Sequence, residues 1–179
     1  MSRAWIALGG NRGERAATLA RAVDALAGQG LRVLRVSHAY ETEPEQAGDG
    51  PPFLNAVLEG ETTLPPRELL ALLQRTEAAL GRPASHEPGP RSCDLDLLAY
   101  DDVVREEGGL CLPHPRLHRR SFVLVPLCEL DVHWRHPALG RTASELLAAL
   151  PEETGRVRLQ GPLPRAVAAA APAPGVAGG

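Results

Sequence analysis

Apolar and polar positions alternate along the chain in two periods, and these predict a run of strands and helices. Residues 3–8 (RAWIAL) make a short apolar run that stops at Gly9-Gly10-Asn11-Arg12-Gly13, a strand and a tight turn. Leu19, Ala22, Val23 and Leu26 follow at i, i+3, i+4 and i+7, the period of a helix with one aliphatic face, and Gly28 supplies its stop. Residues 31–40 (LRVLRVSHAY) alternate as a second strand, with Arg32 and Arg35 among its exposed positions. Periodicity is lost over 41–52, a loop with three prolines and two glycines, long enough to suggest function or mobility. Residues 53–61 (FLNAVLEGE) resume as a strand, and Pro65-Pro66 opens a second helix that Gly81 closes. Leu69, Leu73, Thr76 and Leu80 line one side of that helix, while Gln74 and Glu77 share another face and could jointly bond a ligand. A proline- and glycine-rich loop over 82–90 leads into the run Cys93-Asp94-Leu95-Asp96-Leu97-Leu98-Ala99-Tyr100, which reads as a strand.

The order strand, helix, strand, strand, helix, strand is the split βαβ pattern, so the expected fold is α/β (α+β) with a ferredoxin-like core, a mainly antiparallel sheet with helices packed on it. Residues 101–112 predict a short hairpin-like excursion broken by Pro113-His114-Pro115, and a helical stretch follows around 118–127. Thr142-Ala143-Ser144-Glu145 fits a capping box ahead of Leu146, Leu147 and Leu150, with Pro151 ending that helix. The expected organisation is a single domain over 1–155 and a Pro/Ala/Gly-rich tail over 156–179 with little to bury, hence disordered.

Composition narrows the function. A chain of 179 residues can bury its own core, and a formal charge of −3 gives no chain-wide reason to bind nucleic acid or an anionic membrane. No apolar stretch approaches the roughly 18 residues of a membrane span, and the N-terminal run is too short for a signal peptide. The expected partner is therefore a small molecule and the expected location the cytoplasm. Cys93, Cys111 and Cys128 lack the close spacing of zinc or redox motifs and read as reduced, structural thiols, with Cys93 packed beside the acidic strand. The first glycine turn does not complete a dinucleotide fingerprint, because Asn11 and Glu14 stand where glycines are needed.

The candidate chemistry lies in the acidic strand. Asp94 and Asp96 point the same way with Cα atoms about 6.5 to 7 Å apart, and Leu95, Leu97 and Ala99 are expected to cover the other face. Two aligned carboxylates are a partial ligand set for magnesium, which completes its octahedron with water and phosphate oxygens. They equally suit a sheet edge protected against association. Arg82, Arg91, His114, Arg119 and Arg120 adjoin this strand in sequence, and arginine forks match phosphate oxygens. Only two phenylalanines occur, Phe53 and Phe122. Asn55 shares the face of Phe53, so a planar heterocycle could stack on the ring while the amide reads its edge.

From residue 3 to about 150 the chain resembles the 6-hydroxymethyl-7,8-dihydropterin pyrophosphokinases of folate biosynthesis. The likeness rests on Gly89-Pro90-Arg91 before Asp94-Leu95-Asp96, with Phe53-Leu54-Asn55, Gln74-x-x-Glu77, Pro113-His114 and Arg120-Ser121-Phe122 at similar spacing. It implies transfer of pyrophosphate from ATP to the pterin hydroxymethyl group with release of AMP, and two magnesium ions held by Asp94 and Asp96. It further implies Phe53 and Phe122 on the two faces of the pterin, with Thr42 and Asn55 at its edge. Gln74, Glu77, Arg82, Arg91, His114 and Arg120 would contact the nucleotide, Arg82 and Arg91 sharing in catalysis. A monomer or weak homodimer is expected, and the loops over 41–52 and 82–90 are expected to act as lids. The family's usual Arg-Trp before Gly-Pro-Arg is Glu87-Pro88 here, removing a stacking surface and positive charge, and Gly10 replaces a common serine. Two other readings stay open: a homologue that binds pterin or nucleotide without turnover, and another magnesium-dependent phosphotransferase or phosphohydrolase.

Overall fold

A computed structural model describes residues 1–43, 50–81, 92–151 and 156–164. The chain runs β1 (Ser2–Gly10), α1 (Arg15–Ala27), β2 (Leu31–Val36), β3 (Ala39–Thr42), β4 (Phe53–Thr62), α2 (Pro66–Ala79), β5 (Asp94–Tyr100), β6 (Arg105–Glu107), β7 (Leu110–Leu112), α3 (Ser121–Leu130), α4 (Ala143–Ala148) and β8 (Val157–Gly161). The main sheet has the order β5-β1-β4-β3-β8, with β2 also on β4, and every pairing in it is antiparallel. Because β4 lies between β1 and the β2–β3 pair, and β1 between β4 and β5, each helix crosses over one strand. This is the ferredoxin-like arrangement expected from the order of elements.

The alternation of each strand divides the core in two. Ile6, Leu8, Leu54, Leu58, Leu95 and Leu97 face α1 and α2, where Leu19, Leu26, Leu69, Leu72 and Leu73 meet them. On the opposite face Trp5, Val57 and Leu98 are covered by Leu117, Val123, Leu124, Leu127 and Leu146 from the C-terminal helices. Trp5 and Trp134 meet edge to face at 6.2 Å between ring centroids.

The strand expected over 31–40 is two strands. At the break, Ser37 donates its N–H to the Val57 carbonyl at 2.9 Å, and its hydroxyl accepts the Val57 N–H at 2.9 Å, a side-chain oxygen standing in for a ladder carbonyl. The helix around 118–127 begins instead as one 3-10 turn over Leu117–Arg119, and Arg120, extended at φ −116° and ψ 108°, separates it from α3. On β5 the expected face for Ala99 is wrong. Ile6 pairs with Leu97 and Trp5 with Ala99, so Leu98 is an extra residue, and the bulge turns Leu98 and Ala99 toward Trp5. The tail expected from 156 also needs correction, because Val157–Gly161 pairs with β3 as the outermost strand. Residues 165–179 lie outside the described residues. The capping box forms as expected: the Thr142 hydroxyl accepts the Glu145 N–H at 3.2 Å, and the Glu145 carboxylate accepts the Thr142 N–H at 2.8 Å. Cys93 is fully buried in the first core cluster.

Gly60, near the end of β4 and paired there with both β1 and β2, tests how tightly the first core is closed. A Cβ there would lie 2.9 Å from Leu31 Cδ1, 3.0 Å from Leu31 Cγ and 3.1 Å from the Arg32 carbonyl. Leu31 is fully buried and cannot retreat. Gly60→Ala is expected to cost about 1–3 kcal/mol by overpacking, read as a drop in the midpoint of urea unfolding; an unchanged midpoint would mean that β2 shifts freely.

Candidate active site

Four small or acidic residues remain only half-buried where the C-terminal helices stop covering the sheet: Ala7 and Gly9 on β1, and Asp94 and Asp96 on β5. Register places them side by side. Ala7 is opposite Asp96, and Gly9 is opposite Asp94 on one side and Asn55 on the other. Residues directly opposite in a ladder share a face. Asn55 and Asp94 therefore lie on one row, about 10 Å apart at two strand spacings, with only a glycine between them.

At the β4 end, Asn55 and Thr42 are both buried, and the Asn55 amide donates to the Thr42 hydroxyl at 2.8 Å. Phe53 pairs with Thr42 and is partly exposed on the same face. The turn after β1 braces this end: Asn11 donates to the Pro51 carbonyl at 3.1 Å, and Arg15 reaches the Pro52 carbonyl at 2.6 Å and Glu41 at 2.8 Å. Neither Asn11 nor Arg15 is singled out by the sequence, where each looks like an ordinary turn or helix residue. Their common signal is adjacency to the glycine turn.

At the β5 end, Asp96 faces an arginine and a histidine. Its carboxylate lies 3.8 Å from Arg120 Nη1 and 4.0 Å from His114 Nε2. Burial and the neighbouring Asp94 charge nonetheless hold its carboxyl above the ordinary range, against the pull of His114, Arg120 and Arg116. His114 is pushed below its ordinary value, chiefly by burial, although Asp96 acts the other way. Its Nδ1 accepts the Arg116 N–H at 3.2 Å, which places the proton of the neutral ring on Nε2, toward Asp96. Arg116 is a site cation that the sequence analysis missed; its signal was its place two residues after His114. Arg119 instead donates from Nε to His118 Nε2 at 3.2 Å. Arg120 lies 5.2 Å from the Phe122 ring centroid, a cation–π contact that joins the charged and aromatic parts of the site.

The structure thus brings together Thr42, Phe53 and Asn55 at one end and Asp94, Asp96, His114, Arg120 and Phe122 at the other. Gln74 and Glu77 part company: Gln74 is exposed, whereas Glu77 is buried and accepts the Leu95 N–H at 2.6 Å. Arg82, Arg91, Glu87 and Pro88 lie outside the described residues, as do 44–49 of the first expected lid and all of the second. No group of three or more His, Cys, Asp and Glu side chains suited to a metal occurs among the described residues, and no helix among them is long and apolar enough to cross a membrane.

Glu129 of α3 ties the outer wall of the site to β3. Its carboxylate accepts the Tyr40 hydroxyl at 2.6 Å, the His38 N–H at 3.0 Å and His38 Nδ1 at 2.7 Å. Burial, then the hydrogen bond and charge of Glu129, push the Tyr40 hydroxyl up to about 12. A phenol whose folded value is raised stabilises the fold fully below its unfolded value near 10, and that contribution is lost as pH rises through about 12. Glu129→Ala is expected to move the late tyrosinate absorbance change back toward pH 10 and to remove that part of the alkaline stability loss. Superimposable titrations of the two proteins would sink this assignment.

A ferredoxin-like sheet of the α+β class thus carries paired acids and flanking arginines beside an amide and aromatic end. The chain belongs to the 7,8-dihydro-6-hydroxymethylpterin-pyrophosphokinase (HPPK) family, whose model matches residues 5–132. It is 43% identical over 154 residues to the 2-amino-4-hydroxy-6-hydroxymethyldihydropteridine pyrophosphokinase of Methylorubrum extorquens, covering 84% of this chain and 94% of that one. The Bacillus subtilis protein of the same name is 44% identical over 128 residues, 71% of this chain and 77% of its own. The folic acid synthesis protein fol1 of Pneumocystis carinii is 39% identical over 136 residues, 76% of this chain, but the chain spans only 18% of that protein. Among solved structures, Plasmodium falciparum HPPK-DHPS superposes with a TM-score of 0.63 at 14% identity, over 83% of this chain and 43% of that one, a likeness of fold.

Proposed function

We propose that this chain transfers the intact pyrophosphoryl group of ATP to the hydroxymethyl oxygen of 6-hydroxymethyl-7,8-dihydropterin. The observation that carries the reading is the row Asn55–Gly9–Asp94, which sets a hydrogen-bonding amide and a carboxylate at opposite ends of a floor without side chains. Asn55 both donates and accepts, as the edge of a pterin requires, and Thr42 holds it in place. Phe53 and Phe122 would take the two ring faces, as the resemblance implies. At the other end, Arg116 and Arg120 supply positive potential for the phosphates, and neutral His114 offers its Nε2–H as a donor.

The donor set fits magnesium. Asp96 resists ionisation because it is buried and, after that, because Asp94 crowds it, and a divalent cation between such carboxylates relieves that repulsion while needing only one or two protein ligands. Asp94 and Asp96 would hold two ions, whose chemistry is to neutralise charge on the triphosphate. In the reaction a bond forms between the pterin oxygen and the β-phosphorus, the bond from the β-phosphorus to the α,β-bridging oxygen breaks, AMP leaves, and the hydroxyl proton passes to solvent. What these side chains contribute is positioning and electrostatics, so a strong base is not required.

The test is AMP release from ATP with and without the hydroxymethyl pterin. Pterin-dependent AMP supports the reading. Binding of both ligands without AMP would make the chain a non-catalytic relative, and pterin-independent phosphate release would make it a phosphohydrolase.

A further inference from the structure

The amide that lies between the two acids is held from outside the sheet. Among the described residues β5 pairs only with β1, so one of its edges faces away from the ladder, and Glu77, a residue of α2 that is 3% exposed, accepts the Leu95 N–H at 2.6 Å. Asp94 and Asp96 are the residues on either side of that amide. Where their carboxylates point depends on the rotation of the peptides joining them to Leu95, and a short hydrogen bond to the central amide restrains that rotation.

We infer that Glu77 is a positioning residue: acting through the Leu95 amide, it fixes the aim of the Asp94–Asp96 pair toward divalent cation and nucleotide phosphates. The inference rests on the metal role proposed above for those acids, and it assigns Glu77 a task other than touching the nucleotide. Reach matters for this task, and charge is secondary. Glu77→Gln keeps an oxygen at the same distance and loses the charge, whereas Glu77→Asp keeps the charge and falls one methylene short of Leu95.

The experiment is calorimetric titration of a non-hydrolysable ATP analogue, with and without magnesium, into the wild type and both variants, with melting temperatures as a control on folding. Glu77→Asp should lose about tenfold or more of the magnesium-dependent gain in affinity, while Glu77→Gln stays within about threefold of wild type. Metal-free analogue binding should be the same in all three proteins, since a merely structural defect or a direct nucleotide contact would lower it as well. The inference is overturned if Glu77→Gln is the more damaged variant, if metal-free binding falls with the metal-dependent part, or if both variants keep the full magnesium gain. A wild type that shows the magnesium gain but releases no pterin-dependent AMP would end the proposed reaction and leave the role of Glu77 standing.

Discussion

Asp96→Asn is expected to lower kcat by about a hundredfold to a thousandfold while the melting temperature of the ligand-free protein stays the same or rises. The two halves have one cause. Asp96 sits where burial and the Asp94 charge both disfavour its ionised form, so the charge needed to hold a cation is a liability when no cation is present. A carboxyl raised in the folded state contributes stability at low pH that is lost as pH rises through its folded value. Asparagine has the same shape and no charge, so it removes that loss, and it opens no cavity because the side chain borders the half-exposed floor beside Ala7. Arg120 and His114 lose a partner at 3.8 and 4.0 Å, distances at which the pairing is weak. Thermal melts of both proteins from pH 5 to 8, alongside initial rates at saturating magnesium, check both halves. A variant with a tenth or more of wild-type turnover, or one that melts well below wild type with its helices loosened, would show that Asp96 serves the core and not the cation.

What the sequence makes legible is what local chemistry determines. Asp94 and Asp96 break an apolar run and cannot be hidden, the Thr142 to Glu145 spacing specifies its own cap, and the period of the acidic strand assigns Leu95 and Leu97 to the face opposite the acids without knowledge of their partners. The misreadings all need a second strand or helix to be visible. Leu98 becomes a bulge only because β1 offers Ile6 and Trp5 as consecutive partners to Leu97 and Ala99. Residues 157–161 become a strand because β3 offers an edge, while Leu159 stays 63% exposed and leaves no hydrophobic signal. Glu77 reads as a surface acid at helical spacing from Gln74 until α2 packs on β5. Arg116 is legible in retrospect, since a cation two residues beyond His114 reaches the same carboxylates through space. The resemblance implied which residues would face the ligands, and the register shows why Asn55, Gly9 and Asp94 lie in one row.

Gly9→Val is the sharpest test of where the pterin lies. Glycine is the one residue that leaves the floor between Asn55 and Asp94 flat, and even a Cβ there would lie 3.3 Å from Asn55 Oδ1. Valine is well suited to a strand, so β1 should keep its pairing to β4 and β5, and the added branches would rise on the open face rather than into the core, because Leu8 and Gly10 carry the buried positions on either side. A ring that bonds Asn55 and presents its hydroxymethyl group toward the phosphates over Asp94 must cross this position. Overpacking of about 1–3 kcal/mol then predicts pterin binding weakened by about tenfold to a hundredfold, with Gly9→Ala between valine and wild type. ATP, whose phosphates are proposed to meet the His114, Arg116 and Arg120 side of the site, should bind both variants nearly as before. Titrating each ligand separately distinguishes the cases: a graded loss confined to the pterin places the ring over Gly9, whereas unchanged pterin affinity in the valine variant would move the ring off this row and remove the observation on which the proposed reaction stands.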